Sequence, residues 1–169
     1  MKKIIPALLI GLFSTGVWAA DGTITINGKI LDQTCNITTG TSGNFAVDLQ
    51  PVRASQLDTV GKTAGSTPFN ITLTGCKDIS KTVYAVFETG NAAGRLDVNE
   101  TPKVHIEILN GSTAIPVGKP WTEQKAAGPK ATLGSGSATL NYVARYYAND
   151  VVDYQGNVTA SVQYTLAYE

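Results

Sequence analysis

The sequence predicts an all-β sandwich, and three observations carry that prediction. Apolar and polar residues alternate with a period of two in several separate runs, the signature of strands with one buried and one wet face. Clusters of turn residues (61–68, 90–94, 118–120 and 134–137) separate those runs. Helical periodicity is nearly absent, so the spacing favours a sandwich over parallel βαβ units, which need intervening amphipathic helices.

Residues 1–19 stand apart from the fold. Lys2 and Lys3 precede a short apolar run from Ile4 to Phe13, and Val17-Trp18-Ala19 offers a small-residue cleavage site. That is the layout of a secretory signal peptide. Its apolar run is shorter than the roughly 20 residues a spanning helix needs. Cleavage after Ala19 places Val17 at the −3 position, whereas cleavage after Ala20 places bulky Trp18 there, so Ala20 is the expected mature N-terminus.

An arm follows at 20–31. Ile24, Ile26, Gly28 and Ile30 alternate with Thr25, Asn27 and Lys29. Asn27-Gly28 is also a strong two-residue hairpin signal, but three-residue strands on each side make a poor hairpin. Read straight through, the arm keeps Ile30 in register with Ile24 and Ile26, and Gly28 marks a close approach on the buried face.

Within 32–169, Phe69, Ile71 and Leu73 alternate with Asn70, Thr72 and Thr74; Val104, Ile106 and Ile108 alternate with His105 and Glu107; Leu140, Tyr142, Ala144 and Tyr146 alternate with Asn141, Val143 and Arg145. Residues 82–88 (TVYAVFE) are apolar on both faces and read as a more central strand. Residues 54–57 have room for one helical turn at most. The last thirteen residues are the cleanest strand: Val158, Ala160, Val162, Tyr164, Leu166 and Tyr168 share one face, with Thr159, Ser161, Gln163, Thr165 and Ala167 on the other. Gly156 precedes this strand at the end of a turn.

The chain has 13 basic and 13 acidic residues, and loses two of the basic ones with the leader. No basic run or stripe points to nucleic acid or an anionic membrane. Cys35 and Cys76 are the only cysteines; in an exported chain an even count reads as one disulfide. Two cysteines and one histidine do not furnish a closed zinc site without carboxylates.

No nucleophile elbow, metalloprotease helix or phosphate-cradling loop is present, so no enzyme and no cofactor are expected. His105 falls on the outward side of its strand. Asp97 with Glu100, and Asp150 with Asp153, form sequence-local acid pairs of the kind that serve turns. Trp121, Tyr146 and Tyr147 offer the makings of a sugar-stacking patch, the basis of an alternative reading as a secreted monomeric carbohydrate-binding or adhesin domain. Asn-x-Ser/Thr sequons at Asn36, Asn70, Asn99, Asn110 and Asn157 arise readily by chance in a chain this rich in Thr and Asn.

The two chain ends pose one physical problem. A long apolar strand at 157–169 leaves unpaired backbone groups unless something covers both its edges. The arm at 20–31 is an unattached strand. Donating the arm of one chain to the open edge of the next satisfies both, by strand addition. Burying three isoleucines at about 1.5–3 kcal/mol each is comparable with the ~5–15 kcal/mol net stability of a typical domain.

With these residues in view, the chain resembles the pilin subunits of chaperone–usher fimbriae, most closely type 1-like structural pilins. The matching features are the arm ITINGKI before Cys35, FNITLTGC ending at Cys76, ARYYA, then Gly156, the alternation after it and the penultimate Tyr168. The resemblance implies an incomplete immunoglobulin-like sandwich that lacks its last strand and is completed by donor-strand exchange. It implies an exported structural subunit of an adhesive fimbria that passes through the periplasm to the cell surface. Its partners would be other pilin subunits, a periplasmic chaperone that anchors the terminal carboxylate of Glu169, and an outer-membrane usher. The donor residues would be Ile24, Ile26, Gly28 and Ile30. The acceptor groove would run from Gly156 through Val158, Ala160, Val162, Tyr164, Leu166 and Tyr168 to Glu169.

Overall fold

A computed structural model describes residues 35–77 and 80–169, all within the unit Asp32–Glu169. The leader at 1–19 and the arm residues Ile24, Ile26, Gly28 and Ile30 lie outside the described residues.

The alternating runs become strands β1 (Asn36–Ile37), β2 (Thr63–Thr74), β3 (Thr82–Phe87), β4 (Leu96–Asp97), β5 (Val104–Asn110), β6 (Thr113–Ala114), β7 (Ala131–Thr132), β8 (Ser137–Ala148) and β9 (Tyr164–Tyr168). One helix, α1 (Trp121–Ala127), and a 3-10 turn at Ala54–Leu57 complete the set. Every pairing is antiparallel. The larger sheet runs β1-β2-β8-β5-β4, with β6 also on β5, and the smaller runs β7-β3-β9.

The inner faces close on one core. Ile71 and Leu73 of β2 stand opposite Leu140 and Ala138 of β8, and all four are buried. Val83, Ala85 and Phe87 bring the smaller sheet onto them. Tyr142 joins the layers: its ring stacks on Phe69 at 5.2 Å and meets Phe87 edge-on at 5.5 Å. Its burial pushes the phenol well above the usual tyrosine range, so the ring acts here as an apolar body. Cys35 and Cys76 are bonded and tie the start of β1 to the end of β2.

Four expectations need correction. β5 has no wet face: His105 and Glu107 are only 8% and 4% exposed. Long side chains cover that face. Arg95 and Arg145 bind the two Glu107 carboxylate oxygens at 2.7 and 2.8 Å, and Arg95 lies over the Tyr147 ring at 3.6 Å. His105 meets Asp97 at 2.8 Å. Residues 61–68 are not simply a breaker, because β2 starts inside them and passes a bulge between Ala64 and Thr67, with Gly65 at φ +67°.

Helix α1 is the third difference. Seven residues give too short a window for periodicity, but its end signals are present: Pro120 before it, Glu123 in the first turn, Lys125 in the last and Gly128 after it. The fourth concerns the C-terminal segment, where only Tyr164–Tyr168 forms a ladder. β3 ends at Phe87, opposite Tyr164, and among the described residues no strand pairs with 157–163.

Candidate strand-acceptor groove

The register of β9 on β3 determines which of its backbone groups are spoken for. Thr82 and Glu169 exchange both N–H···O bonds at 2.9 Å, and the Glu88 N–H reaches the Gln163 carbonyl at 2.9 Å. In an antiparallel pair successive residues aim their backbone groups to opposite sides. Thr165, Ala167 and Glu169 therefore aim at β3, while Tyr164, Leu166 and Tyr168 aim N–H and C=O away from it. Among the described residues no strand pairs with that side.

The side chains repeat the pattern. Val158, Ala160, Val162, Tyr164, Leu166 and Tyr168 are half-buried and pack against the core, while Thr159, Ser161, Gln163 and Thr165 are exposed. These six share one face, although none of them reaches the full burial of the β2 and β8 residues beneath. Upstream of the ladder, 157–163 is pinned midway at Thr159. The Thr159 carbonyl accepts from the Asn99 N–H at 3.0 Å, and the Thr159 N–H donates to the Glu100 carboxylate at 2.8 Å. That bond holds the Glu100 carboxyl below its usual range.

Gly156, at the head of this segment, sits at φ +147°. A Cβ there would lie 2.7 Å from the Tyr154 hydroxyl, which in turn donates to the Asn157 carbonyl at 2.9 Å. Its place is a constrained bend at the start of the segment. At the other end, Lys125 of α1 pairs with the Glu169 side chain, which raises the lysine above its usual value.

Across the open side lies a segment that the sequence reading passed over. Phe45, Val47, Leu49 and Val52 are half-buried against the core, and Ala46, Asp48 and Gln50 between them are exposed. The period-two signal was present in FAVDL but was not followed by a recognised turn. These residues belong to no strand. A depression of about 320 Å³ lies between them and β2, lined by Thr39, Phe45, Val47, Thr67, Pro68 and Phe69 among others.

The two sides touch at one place. Thr41 and Asn44 close a tight turn with Ser42 at φ 53° and Gly43 at φ 83°, the conformation of a type I′ turn. It presents the Gly43 carbonyl to the Tyr164 hydroxyl, which donates to it at 2.9 Å. The Phe45 and Tyr164 rings meet edge-on at 6.3 Å, and Phe45 continues to Phe69 at 6.1 Å. Burial raises the Tyr164 phenol above its ordinary value.

The other candidate residues have structural partners. Glu100 holds Thr159, Asp150 accepts from the Val151 N–H at 2.7 Å, and Asp153 pairs with Lys103 at 2.7 Å. The three aromatics of the supposed sugar patch have different neighbours: Tyr146 packs against Gly65, Tyr147 lies under Arg95, and Trp121 sits on α1 beside Lys125.

Among the described residues, then, one edge of β9 is unpaired and its apolar face meets a second apolar segment at Tyr164. The model of the family described as Fimbrial protein matches residues 24–169. The chain belongs to the fimbrial protein family. It is 39% identical over 166 residues to the major fimbrial subunit SMF-1 of Stenotrophomonas maltophilia, covering 89% of this chain and 94% of that one. It is 38% identical over 185 residues to the F17 fimbrial protein of Escherichia coli, with both chains fully covered. Its fold is that of the P pilus rod subunit PapA, with a TM-score of 0.64 at 20% identity over 80% of this chain and 99% of PapA. A subunit of a chaperone–usher pilus rod gives 0.61 at 19% identity, covering 92% and 100%. The resemblance to chaperone–usher pilins stands, and so does the all-β, immunoglobulin-like fold. This fimbrial protein is a structural subunit of a cell-surface fimbrium, assembled with other pilin subunits.

Proposed function

We propose that the fimbrial subunit polymerises by donor-strand exchange, its arm at 20–31 completing the sandwich of the neighbouring subunit. The observation that carries this reading is the open edge of β9. Tyr164, Leu166 and Tyr168 turn to one side backbone groups that no strand among the described residues pairs with, while their side chains stay half-buried. An added strand supplies both the missing hydrogen bonds and the missing apolar cover.

The arm has the matching pattern. Ile24, Ile26 and Ile30 enter the slot between 45–49 and 158–168. Gly28, the one position on that face without a side chain, suits the place where Tyr164 already crosses to Gly43. Before assembly, a periplasmic chaperone lends its own strand to the same edge and anchors the C-terminal carboxylate at Glu169. An outer-membrane usher then replaces that strand with the arm of the next subunit. Residues 1–19 direct export to the periplasm and are removed.

The test is deletion of residues 20–31 from the mature chain. The truncated subunit should still accept an arm from a neighbour but fail to cap one, so that mixing it with the intact chain shortens fibres in proportion to its share. Fibres of undiminished length from the truncated subunit alone would contradict the reading.

A further inference from the structure

β3 has a second edge, and its two ends are covered by different means. With Thr82 and Glu88 bonded to β9, the odd-numbered residues of β3 aim their backbone groups to the opposite side. β7 covers the start of that side, pairing at Thr82 and Val83, and the Leu133 N–H bonds the Lys81 carbonyl at 2.9 Å. But β7 has only two residues and does not reach Phe87.

At Phe87 a side chain takes over. The Gln124 Oε1 accepts from the Phe87 N–H at 2.9 Å, and its Nε2 donates to the Phe87 carbonyl at 2.9 Å. The second Nε2 proton goes to the Lys119 carbonyl at 2.7 Å. The Gly118 N–H adds a bond to the Phe87 carbonyl at 3.1 Å. A primary amide carries an acceptor and two donors, so Gln124 pairs with Phe87 as a residue of a neighbouring strand would. It is 1% exposed. A buried glutamine on a seven-residue helix is otherwise a costly choice, since an apolar side chain fills such a site without needing partners.

We infer that Gln124 is an edge seal, occupying the place of a partner strand on β3 so that strand addition to the smaller sheet is confined to β9. This rests on the strand-exchange reading and deepens it: one donor arm and one acceptor edge per subunit make a linear fibre, whereas a second acceptor edge permits branching. A short β7 alone is a weak barrier, because its few residues leave the rest of β3 as a pairing template.

The test is backbone amide exchange on the full mature chain, with and without a synthetic peptide of residues 20–31. The parent is compared with Gln124→Leu and Gln124→Glu. In the parent the Phe87 amide should exchange slowly in both conditions. Gln124→Leu should speed it roughly tenfold, the effect of one lost hydrogen bond, and admit a second peptide, read as 2:1 stoichiometry by native mass spectrometry. Gln124→Glu retains an acceptor but repels the Phe87 and Lys119 carbonyls near neutral pH. Burial raises a carboxyl's pKa, and once the pH falls below that raised value the group is protonated and donates again, so it should return to 1:1 binding there; this reversal decides the matter if the leucine variant does not fold. Strict 1:1 binding in the folded variants at every pH, or unchanged Phe87 exchange, overturns the seal. Failure of the parent to bind the peptide would instead count against strand exchange, and Phe87 exchange would still decide the role of Gln124.

Discussion

The Tyr164 hydroxyl donates to the Gly43 carbonyl at 2.9 Å and thereby joins β9 to the apolar segment that begins at Phe45. The Phe45 and Tyr164 rings meet edge-on beside it at 6.3 Å, so the crossing is made by side chains and not by a backbone ladder.

Tyr164→Phe should cost about 1 kcal/mol, the net value of one hydrogen bond, because the ring keeps its contact with Phe45. Gly43→Ala should cost more, about 2 kcal/mol. It forces an L-residue into the left-handed region at φ 83° and sets a Cβ 3.1 Å from the Tyr164 hydroxyl and 3.2 Å from Ile37. Urea unfolding of the subunit saturated with arm peptide checks both values and their order.

Gly28→Leu in the arm should block donation, because the slot is already filled where Tyr164 crosses it. Peptides of residues 20–31 with and without the change, competed for one arm-deleted subunit, give the readout. A loss of at least ~100-fold in affinity is expected, equal to about 3 kcal/mol of overpacking. Equal affinity would place Gly28 elsewhere.

Glu107→Ala should destabilise the subunit by about 2–3 kcal/mol. That is below the ~3–5 kcal/mol typical when a fully buried pair is broken, because Arg95 and Arg145 remain 23% and 27% exposed. Chemical unfolding reads it, and fibre assembly should be unaffected, since this cluster lies on the large sheet and not on β9.

Acid should loosen 157–163 before the core. The Glu100 carboxyl is lowered below its ordinary 4.5 by the Thr159 N–H. Its contribution is therefore present above that ordinary value and is lost as pH falls through the lowered one. Thr159 amide protection should fall over that window in the parent. Glu100→Gln, which keeps an acceptor but does not titrate, should show no such fall.

The sequence made most of the inner layer legible, because burial on one face leaves a period-two trace. Ile71, Leu73, Leu140 and Tyr142 on one sheet, and the doubly apolar β3 on the other, are where alternation put them. The same logic misread β5. His105 and Glu107 look like a wet face in sequence, and only their partners from β4, the loop before it and β8 show that arginine stems cover them. The acceptor side of the slot was half visible. Val158 to Tyr168 stood out because six alternations run unbroken, whereas Phe45, Val47 and Leu49 offer only three, next to a turn whose φ values no pattern announces. Gln124 left no trace at all, since a glutamine on a short helix gives no sign that it is pairing with a strand.

The most direct measurement is amide exchange along β9 in the arm-deleted subunit, before and after adding a peptide of residues 20–31. Parity makes the expectation specific. Thr165, Ala167 and Glu169 already face β3 and should change little, while Tyr164, Leu166 and Tyr168 should pass from fast to slow exchange as the peptide binds. Peptide binding that leaves Tyr164, Leu166 and Tyr168 in fast exchange would contradict strand addition at this edge.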